Sequence, residues 1–380
     1  MSPNCDVIII GGGIIGLSIA DRLARDGVKV TLLEKGLCGR ESSWAAPGVL
    51  QPHNPNRHGP MQDMLRASLG LYANYCAQLQ SRTGIDPQYR PCDMLELLVD
   101  DQRYRMALSE QRASQKRQFF DPHGQLEWEV VTPEAGGELE SAIRAECLGV
   151  LVGRNCAQVR PPRLLQALAA SARQSGVEIQ ENTAVEGLVI DGARVRGVRT
   201  QSGAVSADTV VVAAGAWSSG IDPQIENAIP TYPARGQIVL LDASNPASGR
   251  LARMVERKGC YLVPRPEGLV LVGSTVEHES GFDRRTTPTG INRLLADAVR
   301  IIPGLAEAGV VALWSGLRPA TPDRRPYLGP VPELEGLIAA TGHFRSGIVL
   351  APVTARIVAD LIVHGRTDHD LSACRPGRST

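Results

Sequence analysis

The chain has 380 residues, beyond the ~250–300 at which one core stops growing, so two domains or one elaborated domain are expected. Hydrophobic residues make up 43% and charged residues 21%, which argues against disorder. Lys+Arg and Asp+Glu are 40 each and aromatics only 4%, so nothing indicates an electrostatic nucleic-acid or membrane binder, or a base-stacking surface.

Residues 5–10 read as a buried strand, followed by Gly11-Gly12-Gly13-Ile14-Ile15-Gly16 and a helix to about Arg25. Gly27 stops that helix, and Val28–Leu33 is a second strand ending at Glu34. This βαβ pattern predicts a dinucleotide site. Gly11 turns the chain, Gly13 admits a pyrophosphate to the backbone, and Gly16 lets helix and strand approach. The helix N-terminus then holds the phosphates, and Glu34 stands where an acid accepts ribose hydroxyls. The bland alternative is a Gly-rich turn with an ordinary surface Glu. The motif also does not separate NAD from FAD. The small, hydroxyl-rich stretch Glu41–Leu50 suits a backbone beside a bulky ligand, with Ser42 and Ser43 donating to phosphate or ribityl oxygens; a plain Ser/Ala loop reads equally well.

Further along, helices are expected over 60–82, 103–118, 161–174 and 291–302. Strands are expected over 94–99, 177–179, 185–190, 195–200, 210–214, 236–241, 260–264, 269–273 and 337–341, with Asp191-Gly192 as a two-residue hairpin turn. Gly316–Pro319 leads into the Pro-rich turn Pro322–Tyr327. Gly342-His343-Phe344-Arg345-Ser346-Gly347 then precedes an apolar helix from about Ile348 to His364. A helix N-terminus aimed at a flavin's pyrimidine end would stabilise developing negative charge by ~0.3–1 kcal/mol. That helix serves equally as packing for the sheet.

The eight cysteines are scattered without a CxxC pair and are expected reduced, mostly as small hydrophobes. His53 and His58 flank a Pro/Asn-rich loop without partners at ligand spacing, so no metal is assigned. No apolar run reaches the ~18 residues of a membrane span. The N-terminal run Val7–Ile10 lacks the basic lead of a secretory leader, and a cytoplasmic protein is expected.

Taken together, Gly11–Gly16 with Glu34, Ser42–Leu50, Val210–Trp217, Cys260–Arg265, Gly273–Thr275, Gly316–Tyr327 and Gly342–Pro352 resemble the FAD-dependent D-amino-acid-oxidase-type flavoenzymes, and among them the glycine oxidases of thiamine biosynthesis. The likeness covers the whole chain in order. It implies an α/β fold: a Rossmann-like FAD-binding domain built from discontinuous segments (1–84, 150–220, 318–380) and a β-rich α+β substrate domain (85–149, 221–317). The expected cofactor set is Gly11, Gly13, Ile14, Ile15, Gly16, Glu34 and Lys35, then Ser42, Ser43, Pro47, Gly48 and Val49. Val185 falls on the adenine side, and His343, Phe344, Arg345, Ser346, Gly347, Ile348 and Val349 on the flavin.

By the same likeness, Arg318 takes the carboxylate-binding place, Tyr261 is the supporting hydroxyl, and Arg345 lies near substrate and flavin. A guanidinium grips a carboxylate through two parallel charge-assisted bonds, which aims the α-carbon hydrogen at flavin N5. No acid–base residue is nominated. Read alone, Arg318 could be structural in its Pro-rich turn, Tyr261 a packed strand residue, and Arg345 a flavin or carbonyl partner. Gly259 and Val276 replace bulkier family residues and Pro47 interrupts a run of small ones, which leaves substrate size open. Trp314–Asp323 contains no cysteine, so noncovalent FAD is expected.

The implied activity is oxidation of glycine or a similarly small amine, with oxygen reduced to hydrogen peroxide and the imine released or passed to a thiazole synthase. A homo-oligomer is also expected. Rival readings are a D-amino-acid or N-methyl-amino-acid dehydrogenase on the same fold, a nicotinamide dehydrogenase, and a non-catalytic dinucleotide-binding subunit.

Overall fold

The computed structural model describes residues 5–51, 59–117, 127–245 and 248–379. His53 and His58 lie outside the described residues.

The strand Cys5–Ile10 lies at the centre of the first sheet, between Val30–Leu33 and the second half of Gly203–Val212, all parallel. Glu178–Gln180 extends the parallel array on one side and Leu337–Thr341 on the other, with Tyr327–Pro330 antiparallel at the end. The apolar run is unbroken because both faces are covered. Val7, Ile9 and Val211 pack under the helices, while Ile8, Ile10, Val210 and Val212 pack beneath an antiparallel extension. That extension is the hairpin Val185–Asp191 and Arg194–Thr200, continued by the first half of Gly203–Val212. Asp191 pairs with Arg194, so the turn residues are Gly192 and Ala193, one position later than the Asp-Gly reading; Gly192 takes the left-handed conformation at φ 60°.

Helices Ile14–Arg25, Pro60–Thr83, Pro161–Gln174 and Gly347–His364 cover the first face. The last is long and apolar enough to cross a membrane, with mean hydropathy 1.6. Counting uninterrupted apolar residues missed it, because Arg356 and Asp360 break the run. Its residues from Ile348 to Ala355 are all buried, so it is a core helix here.

The second sheet also has eight strands, in the order Gly309–Ala320, Tyr232–Asp242, Leu269–Gly273, Cys260–Pro264, Met254–Arg257, Met94–Leu98, Gly149–Gly153 and Trp128–Val131. Period-2 alternation divides its faces. Leu262, Val239, Leu241 and Val272 pack against helix Pro288–Ile301, while Tyr261, Val263, Ile238 and Met254 point the other way. That helix begins three residues before the sequence reading, capped by the Thr287 hydroxyl with Pro288 in its first turn. A small sheet of Val49–Leu50, Ala157–Gln158 and Arg90–Pro91 lies between. The strand Gly149–Gly153 begins just before the expected boundary at residue 150, and Gly309–Ala320 runs across the one at 318.

Pro352 sits inside helix Gly347–His364 and has no N–H for the carbonyl of Ile348. Tyr72 donates its hydroxyl to that carbonyl, and both partners are buried. Ser68, one helical turn earlier, donates to the Val349 carbonyl at 2.6 Å and accepts from the Val353 amide at 3.3 Å. The first turn is therefore held by a neighbouring helix. Tyr72→Phe should cost about 1–3 kcal/mol, because it strands a buried carbonyl. Denaturant unfolding checks this, and an unchanged midpoint would show that the Ile348 carbonyl finds another donor.

Candidate active site

A cavity of about 900 Å³ runs from Glu34 and Val185 at one end to Tyr261 and Arg318 at the other. Most expected site residues line it: Gly11, Gly13, Ile14, Ile15, Glu34, Lys35, Ser42, Ser43, Pro47, Val49, Val185 and 343–349, with Arg318 and Tyr261. Gly16 and Gly48 are expected site residues that do not line it. A Cβ on Gly16 would run into the Gly11 carbonyl, and one on Gly48 into the Val159 carbonyl. Both glycines are needed for backbone packing beneath the cavity wall.

At the nucleotide end Gly11 turns at φ 108°, where a Cβ would meet the Ala213 carbonyl oxygen at 2.5 Å. Gly13 caps helix Ile14–Arg25 with no side-chain hydrogen bond of its own. The cap comes from a distant loop instead: Ser43 Oγ accepts from the Ile14 amide at 3.0 Å, leaving its own hydrogen to donate onward. Glu34 is the residue expected to accept ribose hydroxyls. Its carboxylate already accepts from the Gly12 amide at 2.7 Å and the Gly36 amide at 2.9 Å, tying the glycine turn to the second strand. Each oxygen keeps a further lone pair for a hydroxyl. Lys35 Nζ stands 3.1 Å above the centre of the Trp217 ring, which packs against Phe282 at 5.3 Å. Burial lowers the Lys35 pKa.

At the other end Arg318 lies in the strand Gly309–Ala320, not in a turn. The Pro-rich sequence Pro319–Pro322 hid this, but an edge strand tolerates proline. Arg318 donates to the Thr275 carbonyl at 3.1 Å and to Ser274 Oγ at 2.6 Å. Burial lowers its pKa, yet arginine stays charged. Among the described residues no carboxylate oxygen lies within 4.0 Å of it. The guanidinium fits this space because Gly236, on the neighbouring strand, has no side chain; a Cβ there would overlap the guanidinium. Tyr261 is buried beside it, and burial raises the phenol's pKa while the Arg318 charge opposes that.

The C-terminal turn forms the third wall. Gly342 takes φ 74° and Phe344 φ 49°, and the Phe344 amide donates to the Pro319 carbonyl at 2.9 Å, next to Arg318. His343 is buried with Nε2 3.1 Å from Thr354 Oγ1, and burial pushes its imidazole down to about 3, so it is neutral near pH 7. Arg345 is exposed. Helix Gly347–His364 starts without a side-chain cap, so its first amides are open to the cavity.

Several cavity residues were missing from the expected set: Trp217, Phe282, Gly236, Ser274 and Glu256. Trp217 and Ser274 lie in motifs that carried the resemblance; Gly236, Glu256 and Phe282 show no local signal. Arg265 was also missed as a brace: it donates to the Pro47 carbonyl at 2.6 Å and fastens the Ser42–Leu50 loop to the second sheet.

The glycine turn, the open first amides of helix Gly347–His364 and the length of the cavity fit a dinucleotide bearing a planar ring system. Comparison with known proteins agrees. The chain is 38% identical over 358 residues to a glycine oxidase of Pseudomonas aeruginosa, covering 94% of each. It is 33% identical over 376 residues to a bifunctional protein ThiO/ThiG of Nostoc, covering 98% of this chain and 55% of that one. The crystal structure of glycine oxidase from Geobacillus kaustophilus superposes with a TM-score of 0.90 at 32% identity, over 99% of both chains. The model of the FAD dependent oxidoreductase family matches residues 6–361. The cofactor is FAD, the fold is that of glycine oxidase, and the chain belongs to the FAD dependent oxidoreductase family.

Proposed function

We infer that this flavoenzyme oxidises glycine or a similarly small amino acid, with molecular oxygen as acceptor. The observation that carries this is a half-buried guanidinium at the cavity wall whose own contacts are a carbonyl and a hydroxyl. Such a group calls for an anion, and the planar fork of arginine suits a carboxylate. Arg318 holds the substrate carboxylate, while Ser274 and the Thr275 carbonyl hold Arg318. Tyr261 closes the same side and donates a hydroxyl. Pinning one end of a small substrate fixes its α-carbon, so positioning supplies most of the rate. FAD, when bound, supplies the acceptor for the hydride and the route of two electrons to oxygen, released as hydrogen peroxide. Neutral His343 would add no charge to the wall that holds the cofactor.

At the cofactor, Glu34 meets ribose, Ser42 and Ser43 and the Ile14 helix meet the diphosphate, and residues 343–349 meet the flavin. Lys35 and Val185 belong to the adenosine end. The imine product hydrolyses or passes to a thiazole synthase, a reading supported by the ThiO/ThiG name of the Nostoc relative.

The test is the visible spectrum of the purified holoenzyme mixed with glycine without oxygen. The flavin band should bleach, and return in air with hydrogen peroxide. A band that persists with glycine, D-alanine and sarcosine alike would overturn the reading.

A further inference from the structure

Across the site-facing side of the second sheet, residues directly opposite each other share a face. Tyr261 pairs with Gly273 on one side and Glu256 on the other, and Glu256 pairs with Glu96 beyond. Tyr261, Ser274, Arg318 and Glu256 line one cavity. A cation and a carboxyl thus line the same cavity, with three strands between theirs and Tyr261 on the strand beside Glu256.

The neighbouring acids are already satisfied. Arg103 holds Glu96 at 2.5 and 2.6 Å and Glu110 at 2.9 and 3.1 Å. Glu256 has no ion pair within 4.0 Å and no hydrogen bond among the described residues. Burial and then the Glu96 charge raise its pKa, while exposed Arg345 and Arg103 favour its ionised form. A half-buried carboxyl that has no partner among the described residues is costly to keep charged, so its place in a substrate cavity points to a ligand group that meets it.

We propose that Glu256 receives a positive group carried by the substrate beyond its reacting amine, so that the preferred substrates are small amino acids extended by a terminal ammonium. The proposal rests on amine oxidation with the carboxylate on Arg318. Adjacent strands lie about 4.8 Å apart, which places Glu256 about one strand beyond Tyr261. Two methylenes and an ammonium extend the substrate from the amine of glycine toward that strand.

N-(2-aminoethyl)glycine and N-propylglycine have the same heavy-atom outline and differ in the terminal charge. The holoenzyme should favour the charged compound by about tenfold or more in kcat/KM, through KM. Glu256→Gln should bring the two within about twofold of each other and leave glycine within about threefold of its value. Glu256→Asp should keep part of the preference. Flavin bleaching by glycine with no preference between the two compounds would overturn this assignment and leave amine oxidation standing; this comparison needs no variant. A Glu256→Gln loss equal for all three substrates would make Glu256 a brace for Arg345, and would also overturn it. Bleaching by no amine at all would remove both readings.

Discussion

Replacing Arg318 with alanine should lower kcat/KM for glycine by about 30- to 4,000-fold while the protein still binds FAD. The loss of one partner from a partly buried ion pair costs about 2–5 kcal/mol, at 1.4 kcal/mol per tenfold change. Arg318 lies on the second sheet, whereas the glycine turn and the first helix belong to the other sheet, so cofactor affinity should be spared. Arg318→Lys should recover only a fraction, because an ammonium is a point charge and cannot reproduce the two parallel bonds. Steady-state kinetics with absorbance at the flavin band checks both statements. Unchanged turnover of glycine would remove Arg318 from the site.

Gly236→Ala should imitate that loss without touching the arginine. The added methyl would occupy the space of the Arg318 guanidinium, which must then swing away from Ser274 and the Thr275 carbonyl. We expect kcat/KM to fall about 10- to 1,000-fold, mostly through KM, as for a displaced charge–charge contact. Stability should change by less than about 1 kcal/mol, since the atom that yields is the far end of a flexible side chain. Gly70→Ala is the control. Nothing lies within 4 Å of a Cβ at Gly70 in helix Pro60–Thr83, so that change should leave catalysis alone and favour the helix. If Gly236→Ala keeps the KM of the parent enzyme, the guanidinium is not held where substrate needs it.

Local pattern alone determined the nucleotide end of this protein. The strand 5–10, the glycine turn, the helix and the second strand are contiguous, and each is announced by its own residues: an apolar run, three glycines, then helical periodicity. The hairpin after Val185, the helix opened by Pro161-Pro162 and the C-terminal helix were legible for the same reason. Tyr261 and Arg318 were expected together through the resemblance, and no local pattern makes them neighbours. They lie on strands Cys260–Pro264 and Gly309–Ala320, separated in the sheet by two others, and it is long-range pairing that sets one beside the other.

Tertiary structure alone decided the rest, because the deciding contacts join residues far apart in sequence. Ser43 caps a helix 29 residues before it, and Arg265 braces Pro47 across 218. Tyr72 supplies the hydrogen bond that Pro352 removes, across 276 residues. Gly236 reads as an ordinary strand glycine until Arg318 fills the space its missing side chain leaves, and Glu256 as one more acid until its neighbours are seen to be paired while it has no pair among the described residues. Hydrogen-bond satisfaction and close packing are properties of the folded set of neighbours, and the sequence names those neighbours only where they are local.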